Sequence, residues 1–395
     1  MLFIHAHLMT MEPTPTGFLT IEDGFLLTQD GRIQNLGPMS QCPALSDFPA
    51  QEVYDLAGKS VYPGFIDAHC HMGLAEEGLN FEGDDLNEMT DPVTPHLRGI
   101  DAINPLNKSF SEAVDAAITT VITGPGSANA IGGQFCAIKT FGHNVDRMVL
   151  KAPVAMKFAL GENPKTVYHG KNLAPNTRMA TASLIREQLT KAQRYRQDKN
   201  KALEDEESFD PPEYDAKCEA LLPLLERKIP AHFHAHRADD IFTALRIAAE
   251  FDLRFVIVHG TEGHLIADIL AGEEVRVLAG PILCDRSKPE LRNLTPANPG
   301  LLAGAGVQTA IITDHPVIPV QYLPLCAALA VREGMEEGDA LRAITITPAR
   351  ICGLDRRVGS IAPGKDADLA VFDQHPLSFS AKPRLVFCGG KRVKG

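Results

Sequence analysis

Residues 61 to 71 read VYPGFIDAHCH, and few folds can use such a stretch. A short apolar run enters through Pro63-Gly64 and ends in Asp67, His69 and His71 at period-two spacing. Alternate side chains of a β-strand share a face, so these three point the same way and the two imidazoles converge on one point in space. That is a metal-binding geometry. Cys70 lies between the histidines, and the same alternation turns it away from them.

Further donors lie far downstream, each at the end of another apolar, β-branched run. Residues 229 to 236 read IPAHFHAH and set His232, His234 and His236 on one face, with Phe233 and Ala235 on the other. Residues 255 to 259, FVIVH, end at His259, and residues 311 to 314, IITD, end at Asp314. The intervening stretches carry helical spacing, as in DDIFTALRIAAEF, where Ile241, Leu245 and Ala248 share a stripe. Strands alternating with helices predict a parallel sheet, and donors at strand C-termini place the chemistry on that edge. An α/β fold closed into a (β/α)8 barrel brings those ends together.

The combination of PGFIDAHCH, HAH, HG and TDH with the later TPARICGL and VGSIAPGKDADLAVFD resembles the amidohydrolase superfamily over nearly the whole chain. KFALGENPKTVY, HAHRADDI, VHGTEGH and RSKPEL are similar to a branch related to imidazolonepropionase and metal-dependent dipeptidases. The resemblance implies a metal-dependent hydrolase, with a small β-sandwich beside the barrel. It matches His69 and His71 to the ligand pair of the first strand, His234 to the fifth, His259 to the sixth, and Asp314 to a proton shuttle at the last strand that also touches the metal. Parity alone does not choose among His232, His234 and His236. The match favours His234 as the ligand, leaves His236 as a substrate contact or second ligand, and makes His232 a core histidine.

Such residues suit one chemistry. Neutral imidazoles and carboxylates bind Zn²⁺, and an open position on the metal lowers the pKa of bound water to about 7. Asp314 would take the proton of that water and return it to the departing nitrogen. Glu162 follows the apolar run APVAMKFALG, so it too is expected at a strand end as a further metal donor. With it the site holds one or two ions. Lys157, five residues upstream, reads as a salt-bridged lysine too deep to be a carboxylated bridge. Arg237, Arg286 and His315 are candidate substrate contacts, with Arg286 and Lys288 suited to a substrate carboxylate. Glu262 and His264 would support His259 from behind. The Gly-rich segment GPGSANAIGGQ, residues 124 to 134, matches no phosphate-binding pattern and reads as an active-site loop.

The chain's 395 residues exceed the roughly 250 of a plain barrel. From His69 to Asp314 the interval is 314 − 69 = 245 residues, so both ends remain for a second unit. Those ends carry strand-like pieces with turns at Asp23-Gly24, Asp30-Gly31 and Pro363-Gly364. The expected organisation is a composite domain from residues 1–60 and 350–395 around a barrel of residues 61–349. Thr347-Pro348 reads as the start of the last helix and Gly353 as its end. Residues 178 to 217 read as an exposed helix, then an acidic loop at Glu204 to Glu207.

A net charge of −12 without a basic stripe excludes nucleic acid as the main partner. Eight scattered cysteines without a CxxC pair suit a reducing cytoplasm. No apolar run approaches the roughly 20 residues of a membrane span, and no secretory leader pattern opens the chain. The expectation is a cytoplasmic hydrolase of a carbon–nitrogen bond in a small molecule, able to form homo-oligomers. A deaminase on the same site and a non-catalytic barrel scaffold are the alternatives.

Overall fold

The computed structural model describes every residue except Glu77, Leu79, Glu206 and Glu207. The end of the expected acidic loop, Glu206 and Glu207, therefore lies outside the described residues. Eight strands pair in chain order into one sheet: Phe65–Cys70, Ile118–Thr123, Ile131–Lys139, Val149–Ala159, Ala231–Ala235, Phe255–His259, Arg276–Ala279 and Gln308–Ile311. The first and last meet just past their ends. There His71 N–H donates to His315 O at 2.8 Å and Asp314 N–H to His69 O at 3.2 Å. The Asp67 carboxylate ties the same two strands, accepting from the Thr313 backbone N–H at 3.3 Å and from its hydroxyl. Asp67 thus serves barrel closure.

One strand departs from the expected parallel sheet. Ile131–Lys139 runs antiparallel to both neighbours. A parallel connection needs a crossover of about a dozen residues or more, and residues 124–130 and 140–148 are too short to supply one. The other barrel neighbours pair in parallel. Helices cover them because their apolar faces have nowhere else to go. Ala238–Glu250 buries Ile241, Ala244, Ile247 and Ala248. Arg178–Glu204, whose N-cap Thr177 accepts from Ala180 N–H, buries Ile185, Leu189 and Ala192. That second helix is therefore half sunk, and each buried isoleucine or leucine contributes about 1.5–3 kcal/mol.

A second sheet is assembled from both termini: Leu2–Thr14, Gly17–Gln29, Arg32–Pro38, Val53–Asp55 and Ser60–Pro63 with Leu369–Phe372, Leu385–Cys388 and Lys391–Lys394. Asp30-Gly31 forms the expected tight turn, both residues at positive φ (50° and 77°) between the paired Gln29 and Arg32. Asp23-Gly24 does not turn the chain. It lies inside Gly17–Gln29, where the pairing with Leu2–Thr14 shifts register, and the hairpin turns instead between Thr14 and Gly17. Gly24 is needed there for closeness, since a Cβ would lie 3.0 Å from both Leu8 and Ile21 side-chain atoms.

The expected last helix starts earlier than Thr347-Pro348 suggests. It spans Ile346–Ile351 with Thr345 as N-cap and Cys352 as C-cap. Pro348 is tolerated because the first turn has no internal acceptors to lose, and Gly353 follows at φ 67°. Charge fastens the terminal sheet to the barrel. Lys139, on the third barrel strand, pairs with Asp368 and, at 3.0 Å, with Asp366, which Arg357 also holds at 2.9 Å. All eight cysteines are free thiols. Among the described residues no helix is long and apolar enough to cross a membrane.

Candidate metal centre

Two groups of donors face each other at the C-terminal edge of the barrel. His69, His71 and Asp314 come from the first and eighth strand ends, and His234, His236 and His259 from the fifth and sixth. Within each group the donor atoms lie within 4.8 Å of one another. The Asp314 Oδ1 is 3.2 Å from His71 Nε2 and 3.8 Å from His69 Nε2. His259 links the groups: its ring centroid is 4.5 Å from that of His234, 4.4 Å from His236 and 5.8 Å from His69. His259 and Asp314 both sit at positive φ, 75° and 56°. Non-glycine residues accept that backbone at functional sites, where the surrounding structure over-determines it.

The backs of the rings decide which nitrogen faces inward. His71 Nδ1 lies 2.7 Å from the Gly124 carbonyl and His259 Nδ1 2.7 Å from the Gly280 carbonyl. A carbonyl only accepts, so Nδ1 carries the proton in both and Nε2 keeps its lone pair. His234 Nδ1 meets Ser127 Oγ at 2.9 Å and His236 Nδ1 meets Thr261 Oγ1 at 2.7 Å. Four of the five imidazoles thus have Nδ1 engaged from behind, the arrangement that orients metal-binding histidines. The Gly-rich segment lies against both groups of donors, supplying the Gly124 carbonyl and the Ser127 hydroxyl.

Burial holds His69, His234, His236 and His259 well below the ordinary imidazole range. They stand neutral. Burial also works to raise the Asp314 carboxyl, but its basic surroundings outweigh that and hold it below the usual carboxylate value. Neutral imidazoles around an ionised carboxylate are what a divalent cation requires. His234 Nε2 and Asp314 Oδ1 are buried without a hydrogen-bond partner among the described residues, a costly state that a shared cation would relieve. The residues present therefore fit a divalent metal.

Lys157 stands closer to the chemistry than its sequence position suggests. It is fully buried, makes no salt bridge among the described residues, and brings Nζ to 2.9 Å from His69 Nε2. The long side chain climbs from inside the strand to the donors, which the reading by strand depth overlooked. Burial lowers its ammonium to about 7, against a pull upward from Asp314. His232, beside it in the sheet register, is fully buried with neither ring nitrogen partnered among the described residues.

Other expected site residues lie elsewhere. Glu162 joins neither group: after Gly161 turns the chain at φ 82°, Glu162 opens the helix Glu162–His169, half-buried, and its backbone N–H donates to Glu290 Oε2 at 3.1 Å. Arg237 is engaged by Asp239 through two bonds of 2.9 Å, and the exposed Arg286 donates to the Leu294 carbonyl at 2.7 Å. Lys288 is taken by Glu290 at 2.6 Å and Asn163 at 2.8 Å. His315 adjoins the first group, with Nδ1 accepting from Val320 N–H at 3.2 Å. Glu262 and His264 hold the loop after His259 through Ala238 N–H, Asn293 and Asn298. The carboxylate that does reach the HxH pair is Glu290, 1% exposed and 3.6 Å from His236 Nε2. Its only sequence signal was its place inside RSKPEL.

The amidohydrolase family model matches residues 60–393. The chain belongs to the amidohydrolase family. It is 41% identical to an amidohydrolase from Thermotoga maritima MSB8 of solved structure, with a TM-score of 0.92 and 99% of each chain covered. The amidohydrolase tasK of Hapsidospora irregularis is 31% identical over 95% of this chain, which spans only 39% of that relative's length. An imidazolonepropionase of Paracoccus denitrificans is 26% identical over 95% of this chain and 94% of its own. This amidohydrolase thus carries the family barrel, a second sheet from its termini, and His/Asp groups that can hold a divalent metal ion.

Proposed function

We propose that this amidohydrolase uses a metal-activated water to hydrolyse a non-peptide carbon–nitrogen bond in a small molecule: a cyclic amide, an N-acyl amino acid or a small dipeptide-like substrate. The observation that carries the reading is the facing pair of donor groups, with Nδ1 of four imidazoles tied back. His69, His71 and Asp314 on one side and His234, His236 and His259 on the other are proposed to hold one or two ions, zinc in the first instance. Bound metal would supply a nucleophile at neutral pH and polarise the scissile carbonyl.

The protein's own part is to hold and move a proton. Asp314 Oδ1, without a hydrogen bond among the described residues and 3.2 Å from His71 Nε2, is proposed to accept a proton and to return it to a leaving nitrogen. Lys157 Nζ, 2.9 Å from His69 Nε2, supports a two-metal reading, since addition of its amine to carbon dioxide with loss of a proton would give a further carboxylate beside the first group. His315, which adjoins the first group, is proposed as a substrate contact. Eight free thiols favour a reducing, cytoplasmic setting. We also place the domain boundaries near residues 60 and 350, between the two sheets.

The test is incubation of metal-loaded enzyme with cyclic amides, N-acyl amino acids, dipeptides and amino-heterocycles. A new carboxylate is the expected product. Ammonia released from an amino-heterocycle would assign a deaminase instead. Purified protein holding under about 0.2 metal per chain after metal-supplemented expression would overturn the reading, since such sites bind tightly.

A further inference from the structure

We infer that Glu290 is a metal donor beside His234 and His236, which makes the three-histidine side the tighter of the two. The inference rests on the metal-binding reading above and adds to it a residue outside both donor groups. Glu290 lies on the loop after the seventh barrel strand and reaches back over the fifth. Its Oε1 is 3.6 Å from His236 Nε2 and 3.8 Å from His234 Nε2. Two donors about 2.1 Å from one zinc-sized ion and about 109° apart stand about 3.4 Å from each other. The observed spacings are those of ligands waiting for one ion, too long for direct hydrogen bonds.

The surroundings are built to keep this carboxylate in place. Its other oxygen, Oε2, accepts from Glu162 N–H at 3.1 Å, beyond the end of the fourth strand. Lys288 Nζ lies 2.6 Å from Oε1 and is itself fixed to Asn163 Oδ1 at 2.8 Å. Gly161 turns at φ 82°, and a Cβ there would stand 2.9 Å from Glu290 Oε2. The chain therefore keeps a glycine where the carboxylate must pass. His234 Nε2 is buried without a hydrogen-bond partner among the described residues, although the Glu290 oxygen lies across from it. On the opposite side, among the described residues, His69, His71 and Asp314 form the corresponding group, so the two sides differ in donor number before Lys157 is considered.

The experiment is stepwise removal of Co²⁺ or Zn²⁺ from the full-length holoprotein by a chromogenic chelator, with the Co²⁺ absorption spectrum recorded in parallel. Wild type is expected to release metal in a fast and a slow phase. Glu290→Gln, which keeps the shape and the bond from Glu162 N–H, should speed the slow phase by about 10–100-fold and change the Co²⁺ bands. Lys288→Met cuts the tether to Asn163 but leaves the carboxylate, and should leave the slow phase in place. A Glu290→Gln protein with wild-type phases and spectrum overturns the inference alone. Equal acceleration in both variants overturns it in favour of a purely mechanical strap. A wild type that binds no metal overturns the underlying reading instead.

Discussion

Replacing Asp314 by Asn tests the proton-shuttle role with little risk to the fold. The residue sits at φ 56°, and asparagine is among the few side chains that accept this backbone readily, where alanine would be strained. The substitution keeps the size and removes the charge of a carboxyl that the site holds below the usual carboxylate value. A positioned acid–base group is worth about 10²–10⁴ in rate, or about 2.7–5.5 kcal/mol of barrier at about 1.36 kcal/mol per decade. Metal retention should be unequal, because the three-histidine group does not include Asp314. At least one equivalent per chain should stay while kcat falls by two to four decades. Steady-state kinetics on the substrate identified by the product screen, with metal measured by elemental analysis on the same preparation, reads both. Turnover within threefold of wild type at full metal content would remove Asp314 from proton transfer; loss of all metal would show that the groups do not bind independently.

Three further outcomes are expected. His69→Ala should deplete metal as well as activity, since it deletes one of three donors on its side; full occupancy by elemental analysis would exclude His69 as a ligand. Ser127→Ala removes the partner of His234 Nδ1 and should weaken metal affinity by about 10–100-fold with the fold intact, a shift that competition titration would detect. Lys139→Met strands the nearly buried Asp368 and should cost about 3–5 kcal/mol in guanidinium unfolding, with Lys139→Met/Asp368→Asn recovering part of it. Burial tends to raise Asp366, but Lys139 and Arg357 hold it below the usual carboxylate value, so the network stabilises fully above about pH 4 and fades as pH falls through the lowered value. The gap between wild type and Lys139→Met should narrow in acid, and parallel curves would deny the linkage.

What the sequence made legible follows from how local each signal is. Period-two spacing in FIDAHCH and HFHAH, and the strand-terminal His259 and Asp314, depend on residues within one strand, so the donors could be named before any contact was known. The antiparallel third strand needed only the lengths of its links, a cue that the alternation of strands and helices concealed. Lys157 was underrated because strand depth says where a Cα sits and nothing of how far four methylenes carry an amine. Glu290 was out of reach for a different reason. It lies in a loop with no periodicity, and its position depends on Glu162 N–H, Lys288 and the space left at Gly161, all set by tertiary packing. Glu162 itself carried the stronger local signal, yet the turn at Gly161 made it a helix N-terminus whose backbone N–H donates to Glu290.

Barrel closure and site assembly are one event in this chain. The strands that bear His69, His71 and Asp314 are the first and the last, and no adjacent pairing in sequence brings them together. They are joined by His71 N–H to His315 O, by Asp314 N–H to His69 O, and by the Asp67 carboxylate on Thr313. Each of those bonds involves a donor residue or a residue within two positions of one. A chain that has formed seven of eight strand pairings can already carry His234, His236 and His259 on neighbouring strands, since Ala235 and His259 are register partners. It cannot carry the other group until the barrel shuts. Metal held by both groups would therefore stabilise the closed state over every open one, and binding energy at the edge becomes folding energy for the whole sheet.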